Sequence, residues 1–391
     1  NLEQIIGEQI SLQGNFVTGK IKHQLFTGID FENSFAQAYT FTFDPKTYGS
    51  GNIFDFDNFD QGGAIPEGTN TKIVKTDTNR FGIYAQDLIS LTDKFKVLAG
   101  LRWSWQEAQA DTHDLTKSPV EIKKEQNRID QAFTPKLGLV FQPTKDMSLF
   151  ASYSNSFTPN TGTTVDLKVI KPSIIDQYEM GIKKDFWRGI LSTNITLYQI
   201  ENSNLAQTAE FKADGSPNTD TSIKVLSGST KSKGVELDIT ARPTEGLSIM
   251  AGYSYNDMRY TKTSGLEGSF IVGDRLARTP ANTANLSFFY TLPSGLLKGM
   301  SFGANSNYIG KRVGGWNNQY KATEPNGIFD REIPLEAYTT IDVSAGYEWG
   351  KFSILCKLSN LTNELNYTVH ENYSVNPIAP RQVMTSLKYK F

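Results

Sequence analysis

The chain consists largely of runs in which apolar and polar residues alternate. Side chains of a β-strand point alternately to its two faces, so such a run predicts a strand with one apolar and one polar face. In the terminal segment one face carries Val383, Thr385, Leu387, Tyr389 and Phe391, and the other carries Gln382, Met384, Ser386, Lys388 and Lys390. One face suits lipid and the other water. An ordinary half-buried edge strand of a soluble protein is the alternative, and only a repeat of the pattern elsewhere decides between them.

The alternation does repeat, in about fifteen strand-length runs, and no segment predicts a helix. The connections between the runs are alternately short and long, with long polar loops at 44–71 and 111–127. The predicted strands before the terminal one are 7–17, 21–41, 72–91, 95–110, 128–142, 147–157, 173–186, 190–202, 222–242, 247–261, 281–292, 299–311, 335–348 and 352–361.

Short turns at one end and long loops at the other are typical of outer-membrane barrels. A soluble sandwich or propeller also gives many short strands. Two features favour the barrel: the runs are longer than the usual five or six residues or so of soluble strands, and aromatic residues gather near strand ends, as in an interfacial girdle. The girdle candidates are Trp103, Trp105, Tyr153, Trp187, Tyr198, Tyr253, Tyr255, Tyr260, Tyr290, Tyr308, Tyr347 and Trp349. The predicted fold class is therefore all-β, a transmembrane antiparallel up-and-down β-barrel.

Charged residues inside the predicted strands are expected on the lumen side, because a charge facing mid-bilayer lipid costs roughly a few kcal/mol. Their expected role is to pair with one another, and direct contact with a substrate is the less favoured alternative. These residues are Arg102, Lys136, Glu179, Lys183, Glu236, Asp238 and Asp342.

Composition and motifs exclude several other classes. The 391 residues carry a net charge of -2, which gives no reason to expect nucleic acid. No apolar run reaches the length of a membrane helix. Cys356 is the only cysteine, and His23, His113 and His370 form no ligand set. An acidic run at 55–60 lacks the glycine and closing glutamate of a calcium loop. With no catalytic triad or phosphate loop either, we predict no enzyme, no metal site and no cofactor.

The strand count bears on completeness. In an up-and-down meander with an odd number of strands, the first and last strands run in the same direction, whereas bacterial single-chain barrels have even numbers. An open edge in lipid leaves backbone groups unpaired at several kcal/mol each. We therefore expect residues 1–391 to form one domain that is the C-terminal portion of a larger barrel.

Several segments carry a family resemblance, each short and unspecific alone but occurring in the family's order over nearly the whole chain. They are 23–30 (HQLFTGID), 81–87 (FGIYAQD), 98–102 (LAGLR), 150–157 (FASYSNSF), 177–183 (QYEMGIK), 233–238 (KGVELD), 360–363 (NLTN) and 379–382 (APRQ). Together they resemble the barrel of TonB-dependent siderophore receptors of the ferrichrome and ferric hydroxamate type. Such barrels have about 22 strands. The resemblance therefore implies that the first strands, the plug domain and the TonB-contacting segment lie outside residues 1–391. It also implies that the plug domain is a further partner for the charged residues on the lumen side.

The resemblance implies a function as well. Such a protein would sit in the outer membrane of a Gram-negative bacterium, bind a ferric siderophore at its extracellular face and import it with energy coupled through the TonB complex. Iron would be cargo. The barrel-assembly machinery would read Leu387, Tyr389 and Phe391 as its C-terminal signal. A receptor of the same architecture for cobalamin or an oligosaccharide, and a barrel enzyme or adhesin, are the alternatives.

A siderophore presents a bulky, partly apolar surface, so aromatic loop residues are the expected ligand contacts. The first long loop offers Tyr48, Phe54, Phe56 and Phe59, although the phenylalanines could instead pack the loop against its neighbours. Later loops offer a smaller set with the same chemistry, namely Trp316, Tyr320, His370 and Tyr373.

Overall fold

The computed structural model describes residues 1–43, 67–125, 127–209, 212–216, 218–220, 222–265, 268–319, 327–370 and 374–391, with only the backbone of residue 227. Within these ranges the regular secondary structure consists of β-strands, and one three-residue 3-10 turn, Trp187–Gly189, is the single helical element. No helix of the described residues has the length and hydropathy to cross a membrane.

The described strands number twenty-three. In chain order they are β1 (Leu2–Thr18), β2 (Ile21–Thr42), β3 (Thr69–Ser90), β4 (Phe95–Asp114), β5 (Glu121–Lys124), β6 (Arg128–Thr144), β7 (Met147–Thr158), β8 (Thr163–Thr164), β9 (Ser173–Phe186), β10 (Leu191–Thr208), β11 (Ile223–Ala241), β12 (Leu247–Lys262), β13 (Asn282–Thr291), β14 (Met300–Ile309), β15 (Arg312–Gly314), β16 (Asn318–Gln319), β17 (Ile328–Phe329), β18 (Ile333–Leu335), β19 (Tyr338–Trp349), β20 (Phe352–Ser359), β21 (Tyr367–Val369), β22 (Val375–Pro377) and β23 (Gln382–Tyr389).

The strands longer than four residues correspond one for one to the predicted runs. They are β1–β4, β6, β7, β9–β14, β19, β20 and β23. Most ends agree within a few residues, while β1 starts earlier, at Leu2, and β10 continues to Thr208. The prediction of a polar loop over 111–127 was wrong in part. Here β4 continues to Asp114 and pairs with β5, with Asp111 opposite Lys124. That hairpin is charged along its length, so it carries no apolar alternation that the sequence could reveal.

The chain divides into two compact units. Unit 1 comprises Asn1–Gly14, Leu25–Gln86 and Gly100–Thr134, and unit 2 comprises Asn15–Gln24, Asp87–Ala99 and Pro135–Phe391. In unit 2 the long strands from β6 to β23 pair antiparallel, each with the next long strand along the chain. This sequential antiparallel ladder confirms the predicted up-and-down order.

The register of unit 2 separates an apolar face from a polar face. Leu197 of β10 lies opposite Val235 of β11, which lies opposite Tyr255 of β12. One residue along, Thr196 lies opposite Glu236. Because strand neighbours point to opposite faces, Glu236 lies on the polar face, as predicted. The predicted lumen charges of this unit therefore avoid the lipid side.

The terminal strand follows the same rule. Leu387 lies opposite Ile354 of β20, which lies opposite Tyr347 of β19, so the predicted apolar face continues across three strands. Leu387 is 69% exposed, as expected for a residue that faces lipid. At the end of the strand the Tyr389 ring meets Phe391 edge-on, with 5.2 Å between ring centroids.

In unit 1 an ion pair spans three strands. Arg102 of β4 donates two hydrogen bonds to Asp30 of β2, from Nη1 to Oδ2 at 2.6 Å and from Nη2 to Oδ1 at 2.8 Å. Gly82 of β3 lies between them, and a Cβ at that position would collide with the guanidinium. Arg102 thus pairs with another charged residue, as predicted, and it does so through a gap that only glycine leaves open.

Candidate ligand-binding site

The candidate site lies in three long connections of unit 2. The structure describes residues 263–265 and 268–281 of the first, 310–319 and 327–337 of the second, and 360–370 and 374–381 of the third. These connections follow β12, β14 and β20, whereas short turns follow β13 and β19. Because consecutive long strands run antiparallel, all three long connections lie at the same end of the ladder. The last two connections contain short strands. β15 pairs with β18, and β21 pairs with β22. We call the β15–β18 pair the first outer hairpin and the β21–β22 pair the second outer hairpin.

Three rings form an aromatic cluster that joins two of these connections. Phe270 stacks on Tyr260 of β12, with ring centroids 4.3 Å apart and planes 13° from parallel. The Trp316 ring packs against Phe270 in an edge-to-face geometry, with 5.3 Å between the ring centroids. Such pairs contribute about 0.5–1.5 kcal/mol each beyond the area that they bury. The cluster therefore fixes Trp316, which stays half-buried, against the connection after β12.

Backbone hydrogen bonds reinforce this junction. The Gln319 N–H donates to the Ser269 carbonyl and the Gly268 N–H donates to the Gln319 carbonyl, both at 2.8 Å. The Asn318 side chain adds a bond from Nδ2 to the Gly268 carbonyl at 2.8 Å. The connections at 263–281 and 310–337 are thereby tied together by a short ladder beside the aromatic cluster.

The position of Tyr260 corrects one prediction. It was among the girdle candidates, which should lie exposed at the membrane interface. Tyr260 is instead only 9% exposed and stacks on Phe270 of a loop. The sequence showed an aromatic near a strand end, and it could not show that a loop ring covers it.

A buried arginine lies between the two outer hairpins. Arg312 of β15 is 8% exposed and spreads its guanidinium over acceptors from both hairpins. Nη1 donates to the carbonyls of Gly310 at 3.3 Å and Glu336 at 3.2 Å. Nη2 donates to Asn366 Oδ1 at 3.3 Å and to the Tyr367 carbonyl. Among the described residues, no carboxylate forms an ion pair with this cation.

Charged groups surround the aromatic cluster. Asn317, next to Trp316, donates from Nδ2 to Asp274 Oδ2 at 3.1 Å. Burial raises the pKa of Glu332 above its ordinary value of 4.5, and the nearby carboxylates Asp274 and Asp330 raise it further. The negative charge on this side of the cluster therefore depends on pH.

A second charged group lies beside β12. Arg259 donates from Nε to Asp257 Oδ1 at 2.9 Å, and Arg275 donates from Nη1 to the same oxygen at 2.8 Å. One carboxylate thus faces two guanidinium groups. Arg259 also reaches the Gly273 carbonyl at 2.7 Å, so this pairing helps to fold the connection after β12 back onto the strand.

The structure describes two of the predicted contact residues. Trp316 belongs to the aromatic cluster, and His370 is exposed directly after β21, where its N–H donates to the Ser374 carbonyl at 2.9 Å. Six others lie outside the described residues: Tyr48, Phe54, Phe56, Phe59, Tyr320 and Tyr373.

Sequence reasoning missed Phe270 and Arg312. Phe270 is an isolated aromatic in a polar, glycine-containing segment, which is a usable but weak signal. In the sequence, Arg312 is one of several basic residues in the loops, and nothing in its neighbourhood indicates burial. Among the described residues, no group of three or more His, Cys, Asp or Glu side chains is arranged to hold a metal ion.

Long antiparallel strands with one apolar face, and long connections at one end, are typical of membrane-spanning β-barrels. Within this class, the chain matches the family model described as TonB dependent receptor-like, beta-barrel, over residues 4–363. The chain therefore belongs to this family.

Curated relatives match nearly the whole chain. The metal-pseudopaline receptor CntO of Pseudomonas aeruginosa strain PAO1 is 26% identical over 385 residues, which cover 98% of this chain and 51% of the relative. The ferrichrome outer membrane transporter/phage receptor of Escherichia coli K12 is 26% identical over 398 residues, covering 97% of this chain and 47% of the relative. The chain thus spans about half the length of the curated relatives that it matches.

Solved structures share the fold. The ferric-catecholate import receptor Fiu of Escherichia coli K12 superposes with a TM-score of 0.76 at 19% identity, covering 99% of this chain and 55% of Fiu. The siderophore receptor PiuA of Acinetobacter baumannii also gives 0.76, at 20% identity, covering 100% of this chain and 56% of PiuA. These similarities confirm the all-β barrel fold class.

Proposed function

We propose that the protein is an outer-membrane receptor that binds a ferric siderophore at its loop end and imports it with TonB-coupled energy. The observation that carries the proposal is the match of 97% or more of the chain to receptors named for ferrichrome and metal-pseudopaline. The TonB complex would supply the energy for import. The chain itself would supply part of the barrel and the ligand-contacting loops.

The loop end has the chemistry that this function needs. A ferric siderophore is a bulky organic shell around its metal, and aromatic side chains give such a ligand large contact area. The aromatic cluster holds Trp316 half-buried in a fixed position. We also propose His370 as a ligand contact, and we keep the six predicted aromatics outside the described residues as proposed contacts. Iron enters this account as cargo within the ligand.

The terminal strand supports a second part of the proposal, recognition by the barrel-assembly machinery. Leu387 and Tyr389 lie on the apolar face of β23, and Phe391 follows the strand by two residues. The Tyr389 ring packs on Phe352, with 4.8 Å between the ring centroids. An exposed apolar and aromatic terminus of this kind gives a partner an edge strand to bind. Truncation of Phe391 should lower the amount of protein in the outer membrane without changing ligand affinity per folded molecule.

Tryptophan fluorescence tests the ligand class. We expect ferrichrome or ferrioxamine B to quench the protein's emission saturably, and cobalamin and an oligosaccharide to leave it unchanged. Replacing Trp316→Phe should remove much of the response. Trp187→Phe is the matched control, because Trp187 is 70% exposed in the turn between β9 and β10 and should not report on the loop end.

Other outcomes select the alternatives. A saturable response to cobalamin or to the oligosaccharide alone would identify a receptor for another nutrient. Uptake of labelled iron chelate by cells with and without TonB tests the energy coupling. Uptake that is equal in both strains would contradict the TonB part of the proposal, and an absence of uptake together with an absence of binding would favour a barrel enzyme or adhesin.

A further inference from the structure

We propose that Arg312 is a positioning residue that holds the two outer hairpins in one arrangement. The contact residues beside the hairpins are then correctly placed before the ligand binds. The identity of the ligand rests on the proposed function. The connection that Arg312 makes between the two hairpins rests on the structure alone. Trp316 follows β15 by two residues and His370 follows β21 directly. Arg312 itself lies in β15, and two of its acceptors, Asn366 and Tyr367, lie at the start of β21, so it bonds together the two hairpins that lead to these contacts.

The guanidinium connects both hairpins at once. On the first outer hairpin it reaches the Glu336 carbonyl, just after β18, at 3.2 Å. On the second it reaches Asn366 Oδ1 at 3.3 Å and the Tyr367 carbonyl. The Asn366 amide oxygen also accepts the Tyr367 N–H at 2.8 Å, so it fixes the start of β21 while it holds the arginine.

The acceptors explain why this position needs an arginine. Arginine offers five N–H donors in a rigid planar fork, and here four hydrogen bonds go to separate oxygens. Lysine has three donors on one atom and cannot span both hairpins. The ring of Tyr338 adds a cation–π contact, 5.0 Å from the guanidinium carbon. Burying a cation among neutral acceptors is costly, so this arrangement points to a role beyond a surface charge.

Packing supports the same junction. A Cβ at Gly314 would lie 3.6 Å from a methyl carbon of Val369, so the two hairpins are in close contact at this point. The Arg278 N–H donates to the Val313 carbonyl at 2.9 Å, which brings the connection after β12 into the same assembly. β15 is therefore the common element of all three connections at the loop end.

The expected functional consequence is preorganisation. A binding surface that is already ordered loses less conformational entropy when the ligand binds, and this raises affinity without any new contact. If Arg312 is removed, the hairpins separate while the long strands remain paired. Ligand affinity should then fall although Arg312 itself never touches the ligand.

Hydrogen exchange tests this connection without any ligand. In the protein as its gene encodes it, Arg312→Met should speed amide exchange in β15, β18 and β21 by at least about tenfold, which corresponds to the loss of roughly one strong hydrogen bond. Exchange in β13 and β14 should stay unchanged. Lys311→Met is the matched control, because it also removes one positive charge. Lys311 is an exposed neighbour of Arg312, and its Nζ lies 2.9 Å from Glu336 Oε2. Equal exchange in the two variants would overturn the proposal.

Ligand titration separates positioning from direct contact. With ferrichrome or ferrioxamine B, we expect both Arg312→Met and Arg312→Lys to lose at least about tenfold in affinity. Retained affinity in Arg312→Lys, which keeps the charge, would show that the cation acts on the ligand directly and would contradict positioning.

A disulfide provides the rescue. In an Arg312→Met protein with Cys356→Ser, adding Gly314→Cys and Val369→Cys should restore most of the affinity after oxidation and lose it again after reduction. Failure of oxidised protein to recover would overturn the positioning role. If wild-type protein binds none of the siderophores, the proposed function fails, whereas the exchange experiment still decides whether Arg312 locks the hairpins.

Discussion

Two parts of the protein are held together by different means. One is the set of long paired strands in each unit, which we call the wall, and the other is the loop end, which comprises the three long connections of unit 2. In the wall, β13 and β14 pair without interruption from Thr283 opposite Ile309 to Thr291 opposite Ser301. At the loop end, the strands of the outer hairpins are three residues long. One buried guanidinium bonds to both hairpins, and one group of three rings joins the connections after β12 and β14.

The difference shows where each region is vulnerable. The stability of the wall is spread over many equivalent hydrogen bonds and depends on which face a residue occupies. The stability of the loop end is concentrated in single side chains that have no equivalent nearby. We therefore expect wall variants to follow the rule of alternating faces, and loop-end variants to depend on the particular contact that is lost.

The largest effect is expected from a charge on the apolar face of the wall. Leu286 lies at the middle of β13, is 39% exposed, and lies opposite Ala251 and Ser306. Leu286→Arg should lower the free energy of unfolding in lipid vesicles by about 2–4 kcal/mol, because the guanidinium would face the hydrocarbon. Denaturant titration of the protein folded into vesicles measures this change.

The neighbouring residue provides the control. Asn285 lies on the polar face, opposite Gly252 and Asn307. Asn285→Arg should cost much less than Leu286→Arg, although the two sites are adjacent in sequence. Equal losses for the two variants would mean that the assignment of faces is wrong.

An intermediate effect is expected in unit 1, where a single contact interrupts the regular wall. Gly82→Ala should displace the Arg102 guanidinium and break its bonds to Asp30. Both side chains are about one-third exposed, at 37% and 32%, so the pair is partly screened by solvent. We expect a loss of about 1 kcal/mol in the free energy of unfolding.

Gly14 offers a matched site for this test, because a Cβ there would meet nothing within 4 Å. Gly14→Ala should be close to neutral. In a double-mutant cycle, Gly82→Ala should cost little once Asp30→Asn has removed the ion pair. A full additional cost in the Asp30→Asn background would assign the effect of Gly82 to the backbone.

The smallest effect is expected from one carboxyl group at the loop end. The pKa of Glu332 in the folded protein is raised above 4.5, so folding favours the protonated form. As pH rises through the raised pKa the side chain becomes ionised beside Asp274 and Asp330, and the local stability of the first outer hairpin should fall. Glu332→Gln should remove this dependence, so the hairpin should exchange amide protons more slowly than wild type at neutral pH.

Amide exchange in β18, corrected for the intrinsic effect of pH, measures this change. Glu336→Gln is the control, because Glu336 is exposed and pairs with Lys311. It should keep the wild-type pH dependence. A wild-type hairpin whose exchange does not respond to pH would contradict the effect assigned to Glu332.

The sequence by itself determined the wall. Alternation within each run gave the fifteen long strands, their antiparallel order and the side on which Glu236, Asp238 and Leu387 lie. It could do so because strand geometry has a period of two, and because a charged side chain on the lipid side is costly in the membrane-spanning middle of every strand. The short β5 was missed because a strand in water on both faces needs no such pattern.

Only the tertiary structure decided the loop end and the exceptions in the wall. Arg312 meets Tyr367, Tyr260 meets Phe270, and Asp30 meets Arg102 through the gap at Gly82. Each contact joins separate strands or loops, and none recurs with a period. Burial of the guanidinium, stacking of the rings and the open space above a glycine depend on how the segments meet, so no local pattern in the sequence could have revealed them.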